Sequence, residues 1–122
     1  MLATAPIEII STELRDVKLL RPRRIGDDRG WFSETFNAKT FATVGLPNSF
    51  VQDNQSFSRR GVLRGLHYQL GQPQGKLIRV LSGHIWDVAV DLRPARRPYR
   101  RPWAYSSPLH QDHLRDDRCQ LR

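Results

Sequence analysis

Two residues suited to chemistry, Arg64 and His67, lie in the stretch GVLRGLHYQ at positions 61–69. An imidazole titrates near neutral pH, so His67 could accept or return a proton, and a guanidinium suits bidentate contact with phosphate. A single histidine in a strand-like segment is more often a structural residue bonded to the backbone. Proton transfer by His67 therefore depends on what the rest of the chain supplies.

The spacing of these two residues sets a geometric condition. In a regular strand, residues three apart point to opposite faces, so Arg64 and His67 could not line one pocket. Gly65 lies between them, and a glycine inside a strand often marks a bulge that re-aims its neighbours. The sequence therefore predicts an irregular backbone near Gly65.

The elements that must position these residues are predicted to be short strands. DVKLLRP alternates apolar and polar residues, GDDRG is typical of a turn, and GKLIRVLSGHIWDVAVDLR fits two strands joined around Ser82 and Gly83. One helix is predicted in NAKTFATVGLP, where Asn37 could cap the start and Gly45 and Pro47 could end it. Short alternating strands bury a core by sheet packing or closure, which predicts an all-β sandwich or barrel.

Two carboxylates occupy one face of the last predicted strand. Asp87 and Asp91 would lie on the face that also carries Ala89, opposite the apolar residues of the other face (Trp86, Val88, Val90 and Leu92). Either carboxylate could orient a catalytic group, and both could equally be ordinary solvent-facing residues. The sequence leaves these two interpretations open.

Length and composition narrow the class of protein. With 122 residues the chain has room for one domain, and its single cysteine, Cys119, allows neither an internal disulfide nor a cysteine-based metal site. Apolar stretches are too short for a membrane helix, so we expect a soluble, cytoplasmic protein. The net charge of +8 is uneven, because residues 93–122 carry eight arginines against three aspartates.

The segment after Pro94 differs in character from residues 1–94. Residues 95–122 are rich in arginine and proline and show neither a strand nor a helix periodicity. We predict that they supply no core strands and form a disordered, non-homologous tail. An out-of-frame reading or a fusion would both explain such a tail.

Three blocks in order carry a family resemblance: GDDRGWFSETFN, FVQDNQSFSRRGVLRGLHYQ and QGKLIRVLSGHIWDVAVDLR. From about Ile9 to Pro94 the chain resembles the dTDP-4-dehydrorhamnose 3,5-epimerase family. The resemblance implies a cupin-type jelly roll, usually a homodimer, that needs no metal or organic cofactor. It also implies epimerisation of dTDP-4-dehydro-6-deoxy-D-glucose at C3 and C5, giving dTDP-4-dehydro-L-rhamnose in dTDP-L-rhamnose biosynthesis.

The resemblance assigns roles to individual residues. Removing a hydrogen beside a ketone needs a base, a group that stabilises the enolate oxygen, and an acid on the opposite face. His67 would be the base and Lys76 the cation near the keto oxygen, although Lys76 could also be a solvated hairpin residue. The positions matching substrate contacts are Arg29, Glu34, Gln52, Asn54 and Arg64, with Asp53 between two of them. Asp87 or Asp91 could orient Lys76 or His67.

The sequence also departs from the family. Members continue with a GFAHGF-like histidine, a proton-donating tyrosine and an acidic partner for the histidine, and these motifs do not occur here. We therefore expect an incomplete member with weak or no turnover that keeps part of a dTDP-sugar site.

Three alternative functions remain to be weighed. A metal-dependent cupin would need two histidines one residue apart, and His67 and His84 are seventeen apart, which disfavours it. A fragment could bind a nucleotide sugar without catalysis. A nucleic-acid binder could use the tail arginines with Trp103 and Tyr105, but a solvated extension explains that tail more simply.

Overall fold

The computed structural model describes residues 6–93 together with the backbone of residues 102–108 and 112–115. The strands and the helix follow one another along the chain as β1 (Ile7–Ser11), β2 (Val17–Pro22), β3 (Ile25–Asp27), β4 (Gly30–Phe32), α1 (Ala38–Thr43), β5 (Lys76–Arg79), β6 (His84–Val90), β7 (Pro102–Pro108) and β8 (Asp112–Arg115). Strands predominate among these elements, as the sequence predicts.

The β1–β2 hairpin carries much of the core. The two strands are antiparallel, and Ile7, Val17 and Leu20 are buried, whereas Glu8, Ser11 and Arg21 are exposed. The turn is stabilised by the Thr12 hydroxyl, which donates to the carbonyl oxygens of Leu14 at 2.8 Å and Val17 at 2.9 Å. A fixed turn holds the hairpin register, and that register keeps the apolar residues on the core side.

The β3–β4 hairpin confirms the turn predicted at GDDRG. Ile25 pairs with Phe32 and Asp27 with Gly30, so the turn is made by Asp28 and Arg29. Gly30 has φ of +138°, a conformation that side chains disfavour. All six residues of the two strands are exposed, so this hairpin presents its side chains to solvent.

Helix α1 also forms where the sequence predicts it. The Asn37 side-chain oxygen accepts hydrogen bonds from the backbone N–H groups of Lys39 at 3.0 Å and Thr40 at 3.1 Å. The chain leaves the helix at Gly45, which has φ of +73°. Phe41, the buried residue of this helix, anchors it to the sheet.

The two strands predicted around Ser82 and Gly83 are present as β5 and β6, but they belong to different sheets. β5 forms one edge of a four-stranded sheet in the order β1-β2-β8-β5, whereas β6 pairs with β7. The chain therefore passes from one sheet to another at this turn. Two packed sheets are the arrangement that a jelly roll requires.

Two strands lie in the segment where the sequence predicts none. β7 pairs with the full length of β6, and β8 lies between β2 and β5. The prediction of no strands after Pro94 is therefore wrong at 102–108 and 112–115. Strand pairing uses backbone N–H and C=O groups, so a segment without apolar alternation can still pair with neighbouring strands. The rest of 95–122, including Cys119, lies outside the described residues, and its separate character stays a prediction.

The buried core is small and lies along the sheets. One cluster joins Ile7, Leu20 and Phe41, with three partly buried residues packed against it (Ile9, Leu46 and Leu77). A second cluster joins Leu14, Val17 and Ala89, which brings the β1–β2 turn against β6. By contrast, every residue from 47 to 75 is exposed. The segment that holds His67 therefore lies outside this core.

Candidate active site

His67 lies in an irregular, exposed segment. Residues 62–69 form no strand, and Gly65 has φ of +124°. The irregular backbone predicted near Gly65 is therefore confirmed. A Cβ atom at Gly65 would lie 3.6 Å from His67 Nδ1, so the imidazole packs directly beside the glycine backbone. Because Gly65 has no side chain, the imidazole of His67 lies against the backbone of that glycine. The other side of the ring is exposed to solvent.

The guanidinium of Arg64 is tied to the loop that precedes it. Its NH2 group donates to the carbonyl oxygen of Phe57 at 3.1 Å, across a turn in which the Val62 N–H donates to the Arg59 carbonyl at 3.3 Å. A guanidinium has five N–H donors, so this bond leaves others for an anionic ligand. The loop thus fixes the position of Arg64 without using its full capacity.

Gln52 and Asn54 form a hydrogen-bonded amide pair. The Gln52 Nε2 group donates to Asn54 Oδ1 at 3.2 Å, and Asp53 lies between them, exposed like both amides. Phe50, just before the pair, packs edge-on against Phe36 with ring centroids 5.5 Å apart. This ring contact attaches the start of the exposed segment to the residues around helix α1.

Glu34 belongs to a link between the β3–β4 hairpin and helix α1. Its Oε2 atom accepts a hydrogen bond of 3.2 Å from Asn37 Nδ2, the side chain that also caps the helix. One residue further on, the Thr35 carbonyl accepts from the Arg79 guanidinium at 3.4 Å. These contacts connect the Glu34 segment to β5, the strand that begins at Lys76 and leaves that lysine half-buried.

Arg29 is paired with Asp27 in the β3–β4 turn. Its NH2 group lies 2.5 Å from Asp27 Oδ2, its Nε lies 3.1 Å from the same atom, and its backbone N–H donates to Oδ1 at 2.9 Å. The hydrogen bond from the Arg29 side chain, and after it that from the Arg29 amide, lowers the pKa of the Asp27 carboxyl below its usual value. The pair in turn raises the pKa of Arg29.

Asp27 was not among the residues that the sequence predicts for the site. The sequence nevertheless contains a pattern that could have identified Asp27. An aspartate in a turn commonly accepts a hydrogen bond from the backbone N–H of the residue two positions later, which here is Arg29. The arginine predicted to contact phosphate therefore already holds a carboxylate in this structure.

Asp87 in β6 and Asp91, just after the end of that strand, have different surroundings. Asp87 is half-buried, whereas Asp91 is 5% exposed and accepts from the Arg93 backbone N–H at 3.0 Å and from Arg93 Nε at 2.7 Å. The solvent-facing interpretation is therefore wrong for Asp91. Arg93 also pairs with Asp16, and its hydrogen bond to Asp91 is the main reason why the pKa of Arg93 is raised. An orienting role for Asp87 or Asp91 stays a prediction.

The described residues give two further findings about the type of site. Helix α1, the helix in the described part of the chain, is far too short to cross a bilayer, and no candidate span occurs there. Within residues 6–93, histidine, cysteine, aspartate and glutamate side chains form no group of three that could hold a metal ion. The exposed segment and the β3–β4 turn offer an imidazole, guanidinium groups and polar amides, which are groups that suit proton transfer and the binding of anionic, oxygen-rich ligands.

Comparison with known protein families gives a match over most of the chain. Residues 11–112 match the family described as dTDP-4-dehydrorhamnose 3,5-epimerase. The enzyme of that name from Methanothermobacter thermautotrophicus is 54% identical over 89 residues, which cover 73% of this chain and 48% of that protein. The enzyme from Pseudomonas aeruginosa is 61% identical over 79 residues, covering 64% of this chain and 44% of that protein. The chain thus spans about half the length of these curated relatives.

Solved structures match the fold of the chain. A Bacillus anthracis dTDP-4-dehydrorhamnose 3,5-epimerase with TDP and PPi bound matches with a TM-score of 0.84 and 40% identity, over 94% of this chain and 71% of that chain. A Legionella pneumophila dTDP-6-deoxy-D-glucose-3,5-epimerase in complex with dTDP-4-keto-L-rhamnose matches with a TM-score of 0.83 and 39% identity, over 91% of this chain and 61% of that chain. These matches confirm the predicted fold class, an all-β jelly roll of the cupin type with one short helix.

Proposed function

Because this chain belongs to the dTDP-4-dehydrorhamnose 3,5-epimerase family, we propose that it binds dTDP-4-dehydro-6-deoxy-D-glucose and abstracts the hydrogens at C3 and C5. The observation that supports this most directly is the irregular backbone at Gly65, which lies in the same exposed segment as Arg64 and His67. The relatives' names and the dTDP sugar in the Legionella pneumophila complex support the choice of ligand.

His67 would act as the base. Its neutral imidazole takes the hydrogen on C3 or C5 as a proton, and the electron pair of that C–H bond moves toward the C4 ketone to form an enolate. Lys76 would donate to the enolate oxygen, because a fixed cation stabilises charge that develops there. A water molecule then gives a proton to the opposite face of the same carbon, which restores the ketone and completes the epimerisation, and the proton released by His67 neutralises the hydroxide left behind.

The remaining predicted residues would hold the substrate. Arg29 and Arg64 carry guanidinium groups suited to the diphosphate. Glu34 and the amide pair of Gln52 and Asn54 would contact hydroxyl groups of the sugar or the thymine ring, with Asp53 beside them. Asp87 or Asp91 would orient Lys76 or His67, and Asp91 is also held by Arg93.

We expect catalysis by the chain alone to be slow. His67 and its neighbours from residue 47 to 75 are exposed, so water surrounds the base and competes for the enolate. Exclusion of water is one of the means by which enzymes strengthen electrostatic stabilisation of such intermediates. Binding of a nucleotide sugar without turnover is therefore the second candidate function. The exposure of His67 to water supports it.

The test separates binding from proton abstraction. The full chain is mixed at high concentration with dTDP-4-dehydro-6-deoxyglucose in deuterated water, and deuterium at C3 and C5 is followed by NMR while affinity is measured by calorimetry. We expect binding together with deuterium incorporation faster than in a protein-free sample. Binding without incorporation would leave the second candidate, and the absence of both would overturn the proposal.

We also propose that the protein forms a homodimer and is located in the cytoplasm. The exposed segment presents large apolar side chains, including Phe57, Leu63 and Leu70, each more than four-fifths exposed. Where such side chains come together on a surface, they mark an interaction site, and the partner proposed for this one is a second copy of the chain. The single cysteine is consistent with a reducing compartment. Sedimentation velocity should give twice the chain mass of 14.2 kDa, and a monomer at all concentrations would contradict the dimer.

A further inference from the structure

The ion pair of the β3–β4 turn bears on how a ligand would reach Arg29. This inference rests on the proposed function, in which Arg29 contacts the diphosphate. The carboxylate of Asp27 occupies the Nε and NH2 edge of the guanidinium. A phosphate would approach a guanidinium along the same kind of edge, since both anions accept two parallel N–H bonds.

The two partners of this pair are held very differently. Asp27 is fixed by the Arg29 backbone N–H, which donates to Oδ1 at 2.9 Å and does not depend on the guanidinium. The Arg29 side chain is 90% exposed, so little besides the carboxylate restrains it. Release of the pair therefore moves the arginine side chain and leaves the turn in place.

We propose that Asp27 is a resident counter-ion, which holds the guanidinium of Arg29 in the unliganded chain and is displaced by the diphosphate of the ligand. Binding then exchanges one anion for another on the same donors. Asp27 thereby lowers the affinity for every anion at this position, and it favours a diphosphate, whose higher charge competes better than that of a single carboxylate.

The size of the effect follows from the exposure of the pair. Exposed ion pairs contribute little, so we expect removal of the competing carboxylate to tighten binding about two- to fivefold. A purely supporting Asp27, which positions Arg29 for the ligand, would give the opposite sign. The direction of the change therefore decides between competition and positioning.

The experiment uses the full chain and two probes, inorganic pyrophosphate and dTDP, measured by calorimetry at low ionic strength. Asp27→Asn is the test variant, because an asparagine oxygen still accepts from the Arg29 amide and keeps the turn. Asp28→Asn is the matched control, since it removes the same charge from the neighbouring exposed residue. We expect Asp27→Asn to bind both probes about two- to fivefold more tightly than the wild type and Asp28→Asn to change affinity by less than half as much.

Four results would overturn the inference, and a third variant, Arg29→Gln, separates its failure from that of the proposed function. Unchanged or weaker binding by Asp27→Asn would exclude competition, and equal tightening by Asp28→Asn would indicate a general charge effect. If Arg29→Gln leaves the affinity of the wild type unchanged, Arg29 is not a ligand contact, and both the inference and that part of the proposed function are wrong. If neither probe binds any of the proteins, both again fail.

Discussion

Arg93 and Asp16 form an ion pair across 77 residues of sequence, and the same guanidinium also holds the buried carboxylate of Asp91. The contact joins the β1–β2 turn to the end of β6. The residues of this ion pair are near in sequence to those of the apolar cluster of Leu14, Val17 and Ala89. That cluster connects the same two elements. A charged bridge and an apolar contact therefore fasten the turn to the strand that carries Asp87.

Loss of Arg93 should destabilise the fold more than loss of an exposed arginine. Arg93→Met leaves Asp91 buried without its cation, and we expect the free energy of unfolding to fall by about 3 kcal/mol. Arg21→Met is the matched control, because Arg21 pairs with Glu8 at 2.9 Å with both side chains about half exposed. That control should lose at most about 1 kcal/mol in urea denaturation. Equal losses in the two variants would show that burial of Asp91 does not matter.

The buried side chain of Phe41 should account for much of the contribution of helix α1 to the free energy of unfolding. The residue is 1% exposed and packs against Ile7 and Leu20, so we expect Phe41→Ala to cost about 3–5 kcal/mol in the free energy of unfolding. Phe32→Ala removes the same atoms at a position that is 66% exposed and should change that free energy by about 0.5 kcal/mol or less. Thermal and urea denaturation of both variants measure the difference. Similar losses would show that the burial of Phe41 does not set its contribution.

The cap of helix α1 can be tested separately from its packing. Asn37→Ala removes the acceptor for the Lys39 and Thr40 amides, and we expect a loss of about 1 kcal/mol by urea denaturation. Asn37→Ser keeps a capping oxygen and should recover most of that loss. A serine variant as unstable as the alanine variant would assign the effect to the other bond of Asn37, the one to Glu34.

Gly65 should be required for proton transfer by His67. Its φ of +124° strains any residue with a Cβ atom, so Gly65→Ala would shift the backbone beside the imidazole. We expect deuterium incorporation into the dTDP sugar to fall at least about tenfold, while the far-ultraviolet circular dichroism stays unchanged. Gly75→Ala is the control, because a Cβ there meets open space and its φ lies outside the left-handed region. Full activity in Gly65→Ala would contradict a requirement for the positive φ at Gly65 in proton transfer by His67.

The Asp27–Arg29 pair predicts the acid behaviour of the turn. The folded-state pKa of Asp27 is lowered by Arg29, so the pair contributes at pH values above the usual aspartate pKa and is lost as the pH falls through the lowered value. An NMR titration of the Asp27 carboxyl carbon should therefore give a midpoint below the ordinary one. In Arg29→Gln the midpoint should move upward. An identical midpoint in both proteins would show that the pair does not persist in solution.

Local chemistry was enough to predict several of these features. The Asn37 cap, the GDDRG turn and the irregular backbone at Gly65 each depend on a few adjacent residues, and the structure contains all three. The sequence did not predict the burial of Asp91, because Arg93, which holds that carboxylate, also pairs with Asp16, 77 residues earlier in the chain. It also missed β8, since pairing with β2 and β5 depends on backbone groups that the side-chain pattern does not reveal.

Proton abstraction by His67 is tested most directly by comparing two histidine variants. Deuterium incorporation at C3 and C5 of dTDP-4-dehydro-6-deoxyglucose is measured for the wild type, His67→Ala and His84→Ala, since both histidines are exposed. Loss of a general base typically lowers a rate by about 100- to 10,000-fold, so His67→Ala should fall to the protein-free rate. His84→Ala should retain the wild-type rate. Incorporation that is equal in His67→Ala and the wild type would contradict the assignment of His67 as the base.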